Sequence, residues 1–115
     1  MPPEYEEGFT VATVKGDVYS FGVLMLEVAT GKRPESTVDL NGESMSFLDW
    51  ARVMVAQNGE RDMLDANIWV WARRKGLEEA RVKEYFRIAL MCAEVSQKKR
   101  PAMRDVVELL AQNFT

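Results

Sequence analysis

The sequence predicts an all-α domain of about four main helices around one buried central helix, and three observations predict it. Apolar residues recur at helical spacing in four stretches. Glycines and prolines fall between most of these stretches rather than inside them, and no run alternates apolar with polar residues over enough positions to propose a strand.

The central helix is expected from Lys15 to Gly31. Asp17 stands where an N-cap carboxylate would accept from the first-turn amides, and Gly31 stands where a left-handed residue closes a helix. Between them Val18, Tyr19, Phe21, Val23 to Leu26, Val28 and Ala29 surround the axis, leaving a narrow polar stripe of Asp17, Ser20 and Glu27. Such a helix must be buried on nearly every side. It is too short for a membrane span, which needs about 20 residues. Gly22 costs about 1 kcal/mol against alanine in a helix interior, so it marks a place where another backbone passes close.

Around this rod the chain reads in order. Pro2 and Pro3 fix an extended start, and Glu4 to Thr13 is irregular, with Gly8 as its turn residue. After Gly31 a surface loop carries Pro34 and Asn41-Gly42, a pair that suits a hairpin turn although its flanks alternate too poorly to propose strands. Ser46 caps a second helix with Asp49 three residues on; Phe47, Ala51, Met54 and Val55 form its stripe, and it should stop near Gly59. The segment from Glu60 to Gly76 is the least regular. Its Trp69 and Trp71 alternate, and Arg73, Arg74 and Lys75 form a tight basic cluster. A third helix is expected from Leu77 to about Val95 on Val82, Tyr85, Phe86, Ala89 and Ala93, with Glu79 and Lys83 as an i, i+4 pair. A fourth, from about Ala102 to Gln112, places Met103, Val106, Val107 and Leu110 on one face.

Composition narrows the function. At 115 residues and 47% hydrophobic content the chain fits one domain or part of one. A net charge of -3 argues against nucleic acid, whose binding needs a dominant basic face. The single Cys92 forms no internal disulfide, fits a reducing compartment, and on its apolar half-helix reads as a small core residue. Histidine is absent, which removes the commonest general base and metal ligand. The opening MPPEYEEGF has neither a basic nor an apolar signal region. Glu78-Glu79 and Asp62/Asp65 resemble catalytic carboxylate pairs only superficially, since both lie on polar stretches. Trp69, Trp71 and the basic cluster could meet an anionic membrane surface, but a connector whose tryptophans plug onto the third helix is the preferred expectation.

Three anchors stand in fixed order: PPEY at Pro2 to Tyr5, GDVYSFGVLMLE at Gly16 to Glu27, and RPAMRDVVELL at Arg100 to Leu110. Together they resemble the carboxyl-terminal lobe of a protein kinase. The wording TVKGDVYSFGV, ATGKRP and FLDWA resembles plant receptor-like serine/threonine kinases of the leucine-rich-repeat type. The resemblance covers nearly the whole chain, residues 1–115, as a truncated kinase domain from the end of the activation segment through the last helix. It implies that Pro2, Pro3 and Glu4 close the substrate-docking end of that segment, with Pro2 in a place usually held by alanine. It also implies that Glu4 pairs with Arg100, and that Asp17 and Gly22 belong to the helix that anchors the catalytic loop.

The family needs a Gly-rich loop, a phosphate-binding Lys, a catalytic loop and an Asp-Phe-Gly metal site. This chain carries none: its seven glycines never fall as Gly-x-Gly, and without histidine there is no His-Arg-Asp triplet. Ser20-Phe21-Gly22 and Val11 to Lys15 are decoys within or leading into the central helix. The expectation is therefore a fragment without cofactor, unable alone to bind the ATP and Mg²⁺ of the parent family, beginning at a Met that suits an internal codon of a longer frame. Its partners would be protein substrates or the parent kinase, with self-association through an apolar patch beside Val18 to Leu26. The resemblance places it in the cytoplasm, under the plasma membrane that holds the parent. The rival reading is a non-catalytic helical binding module that competes for kinase or substrate partners.

Overall fold

In the computed structural model, which describes residues 14–35 and 37–114, the central helix α1 runs Val14–Thr30. Val18 and Leu26 are fully buried, and Met25 and Ala29 nearly so. The helix stops as expected: Gly31 takes a φ of 71° and its N–H donates to the Glu27 carbonyl at 2.9 Å. Its start departs from expectation. Asp17 is the fourth residue of the helix and is exposed, so its carboxylate meets the positive end of the helix dipole from the first turn instead of capping it. The open stripe is also broader and less polar than the sequence suggested, because Val14, Leu24 and Val28 share it with Asp17 and Ser20.

The loop after α1 holds a β-hairpin, contrary to the reading that rejected strands. β1 (Thr37–Leu40) pairs antiparallel with β2 (Glu43–Ser46), Leu40 opposite Glu43. Asn41 and Gly42, at φ of 52° and 84°, make the two-residue turn whose twist matches the strands. Alternation was present but brief: Val38 and Leu40 on β1 and Met45 on β2 pack against the core.

α2 (Phe47–Ala56) begins at the expected cap, with Ser46 Oγ accepting from the Asp49 N–H at 3.2 Å. Phe47 and Ala51 are fully buried. The stretch expected to be irregular is helical. A single turn, α3 (Glu60–Met63), leads to α4 (Ala66–Arg74), which Asp65 caps by accepting from the Asn67 and Ile68 amides at 3.0 and 3.4 Å. The Asp65 N–H donates to the Ala29 carbonyl at 2.8 Å, so the same residue starts α4 and satisfies the end of α1.

α5 (Glu79–Cys92) is the second main helix of the core. Phe86, Ile88, Ala89 and Cys92 are fully buried on it. Glu79 does not pair with Lys83 but reaches Arg61 of α3 at 3.4 Å. A 3₁₀ turn (Gln97–Lys99) leads to α6 (Met103–Phe114), which packs on α5 through Val106. Val107 is 58% exposed. At 100° per residue Val106 and Val107 flank the line through Met103 and Leu110 on opposite sides, and the helix turns its Val106 side to the core while Val107 faces outward.

Candidate functional site

Two features fasten the central helix, one to α5 and one to the start of the Arg100–Leu110 stretch. The first is the crossing of α1 and α5 at Gly22. A Cβ there would lie 2.6 Å from the Ala89 carbonyl oxygen, 2.7 Å from the Cys92 Cβ and 3.0 Å from the Ala93 nitrogen. The close backbone approach expected at Gly22 is present, and no side chain fits. Three residues on, Tyr85 of α5 donates its hydroxyl to the Met25 carbonyl at 2.7 Å. Burial pushes the phenol up to about 12.

The second is Arg100, 2% exposed although charged. Arg100 itself closes the preceding 3₁₀ turn in an extended conformation, its N–H donating to the Gln97 carbonyl. Its guanidinium donates to the carbonyls of Glu94 at 2.7 Å, Val95 at 3.3 Å and Lys15 at 3.1 Å. It also lies over the Tyr19 ring, 4.8 Å from the centroid. Lys15 completes the exchange by donating Nζ to the Arg100 carbonyl at 2.6 Å. A planar cation with five donors is suited to this cluster of carbonyl oxygens. The start of α1 and the approach to α6 are thereby tied together.

Pro2, Pro3 and Glu4, and with them the Glu4–Arg100 pair, lie outside the described residues. Asp17 is exposed on the open stripe, while Gly22 faces α5. Beside that stripe a depression of about 650 Å³ is lined by Tyr19, Ser20, Val23, Leu24, Glu27, Pro34, Glu35 and Leu48. It is half-open rather than enclosed, and its lining includes two carboxylates, Glu27 and Glu35. Ser20-Phe21-Gly22 is ordinary helix, so the metal-motif echo has no structural counterpart. Cys92 is fully buried, and burial pushes its thiol up to about 11, as befits a core residue. Among the described residues no group of three or more His, Cys, Asp or Glu side chains converges to hold a metal ion. None of the described helices is long and apolar enough to cross a membrane.

Sequence reasoning missed Lys15, Tyr19 and Tyr85 as structural polar contacts. The two tyrosines gave a signal, each a polar tip inside an apolar stripe; Lys15 gave none. It also missed Glu60, 4% exposed with one carboxylate oxygen lacking a partner among the described residues. The tryptophans divide: Trp69 is half-buried against the core beneath Arg61, whose guanidinium lies 4.7 Å from its ring, whereas Trp71 is 58% exposed and lines the rim of an apolar groove with Val82, Tyr85 and Phe114.

The family profile described as protein tyrosine and serine/threonine kinase matches residues 1–110. Phytosulfokine receptor 2 of Arabidopsis thaliana is 38% identical over 112 residues, covering 96% of this chain and 10% of that protein. A probable inactive receptor kinase of the same plant is 35% identical over 111 residues, covering 96% of this chain and 18% of that protein. Among solved structures, the pseudokinase domain of BIR2, an immune regulator of the RLK/Pelle family, superposes with a TM-score of 0.74 at 28% identity, covering 97% of this chain and 31% of that one. The chain thus spans less than a third of each of these relatives.

Proposed function

The chain belongs to the protein tyrosine and serine/threonine kinase family, and from that premise we propose that its residues form the carboxyl-terminal lobe of a receptor-like serine/threonine kinase domain. In the whole protein this lobe underlies a site that passes the γ-phosphate of ATP to protein serine or threonine, on the cytoplasmic side of the plasma membrane. Pro2, Pro3 and Glu4 serve substrate docking, Glu4 pairs with Arg100, and Asp17 and Gly22 belong to the anchor of the catalytic loop. ATP and Mg²⁺ are held by motifs that these 115 residues do not contain. The chain alone therefore takes no cofactor and transfers no phosphate.

The observation that carries this reading is the buried Arg100, which bonds to Lys15 across 85 positions and so ties the first residue of the Arg100–Leu110 stretch to the residue just before the Gly16–Glu27 stretch. The test is direct. The purified chain, titrated with Mg-ATP and followed by tryptophan fluorescence, should show no saturation, and labelled phosphate should not reach a serine/threonine peptide. Micromolar affinity or any stoichiometric transfer would overturn the inactivity.

The depression beside α1, lined in part by exposed Leu24, favours a second reading: a non-catalytic module that binds kinase or substrate partners. Two relatives are named as a probable inactive kinase and as a pseudokinase that is an immune regulator, which is consistent with a non-catalytic role. Adding the chain to an intact receptor-kinase domain should then inhibit peptide phosphorylation as the two approach equal concentration. No inhibition, with the chain only self-associating in size-exclusion chromatography, would sink the module reading.

A further inference from the structure

We propose that the outer arc of α4 and the residue after it form a docking surface for an anionic lipid bilayer. Helical spacing places Arg73, Val70 and Arg74 side by side along the solvent side of α4, Trp71 at the edge of the arc, and Lys75 at its end. All five are exposed, with Val70 at 49% and Trp71 at 58%. Val70, Arg73 and Arg74 line a shallow open depression.

Charge selects the occupant. The chain as a whole is at -3, yet Ala66 to Lys75 carries three cations and no carboxylate. Asp65 lies at the opposite end of the helix with its carboxylate committed to the cap. Glu78 is the acidic group facing the cluster from the α5 side, and it shares its groove with both Lys75 and Arg81. An acidic peptide is held by the cations alone unless it also carries apolar side chains at matching positions. A bilayer uses both, because tryptophan is favoured at headgroup depth and basic residues are drawn to the negative surface. No pocket with a buried polar side chain is needed. α4 is too short to span, and it meets the interface from the side with the apolar residues between the cations.

Vesicle flotation of the 115-residue chain tests this, since floating excludes aggregates that would sediment. The chain should float with vesicles of phosphatidylcholine and phosphatidylserine, stay behind with phosphatidylcholine alone, and be released by salt. Each cation near such a surface is worth about fivefold in partitioning, so R73A/R74A/K75A should weaken binding on the order of 100-fold with an unchanged circular dichroism spectrum. W71A should weaken it less and independently of salt. The double variant K98A/K99A removes two exposed cations in the 3₁₀ turn and should leave binding unaltered. Equal loss in that variant, undiminished flotation of the triple variant, or displacement from vesicles by an acidic or phosphorylated peptide at stoichiometric concentration would each overturn the proposal.

Discussion

The seam between α1 and α5 and the attachment of α4 to the end of α1 are both made by short contacts, but of opposite kinds. The seam is made by what is missing, the Cβ of Gly22, and by fully buried side chains such as Phe86, Ala89 and Cys92. The attachment is made by one residue, Asp65, whose amide closes α1 and whose carboxylate opens α4. A burial contact is spread over many atoms and is felt throughout the domain. A cap is local, and its loss should be felt only by the helix it starts.

The sharpest way to break the seam is Phe86→Ala. Removing a ring that is fully buried should destabilise the chain by about 3 to 5 kcal/mol, read as a lower urea midpoint with amides of every core helix exchanging faster. Gly22→Ala is smaller and more discriminating. Helix preference alone predicts a gain of about 1 kcal/mol. Packing against the Ala89 carbonyl predicts a loss of about 1 to 3 kcal/mol, which we expect to prevail; a net gain would mean that the two helices part easily.

Tyr85→Phe leaves the Met25 carbonyl without the phenol and should cost about 1 kcal/mol near neutral pH. It also tests the alkaline limb. The folded chain holds Cys92 near 11 against an ordinary 9.0, and Tyr85 near 12 against 10.0. Both values are raised, so the protonated forms are favoured on folding, and that stability is intact below the ordinary values. It is lost as pH climbs from about 9 to 11 for Cys92 and from about 10 to 12 for Tyr85. Urea midpoints measured across this range should fall, and the phenylalanine variant should lack the upper part of the fall. Asp65→Ala has the most local effect, about 1 kcal/mol, and should speed hydrogen exchange in α4 while leaving α5 unchanged. Equal acceleration in both helices would erase the distinction between seam and attachment.

The same contrast explains what could be read from the chain beforehand. Gly22, Gly31 and the Ser46 cap were legible because each interrupts or bounds a long apolar periodicity. α4 was not, although Asp65 at its start, two arginines in its last turn and Gly76 at a φ of 74° beyond it are all helix signals. The alternation of Trp69 and Trp71 masked them, since period two suggests something other than a helix. The hairpin was missed because each strand has four residues and the Asn41-Gly42 turn, more than alternation, sets the pairing. Arg100 was legible as buried only through the resemblance. Its carbonyl partners at Lys15, Glu94 and Val95 are backbone atoms, which no residue type announces.

Two fastenings along one crossing have a mechanical meaning. Packed helices can change state by slipping one turn past each other, a step of about 5.4 Å. Here the notch at Gly22 accepts α5 at a single height, and the Tyr85 hydroxyl bolts the same pair three residues further along. Sliding would drive a side chain into the notch and shear the bolt at once. The pair is therefore a fixed chassis, and switching in a protein that contains it must come from parts that hinge upon it.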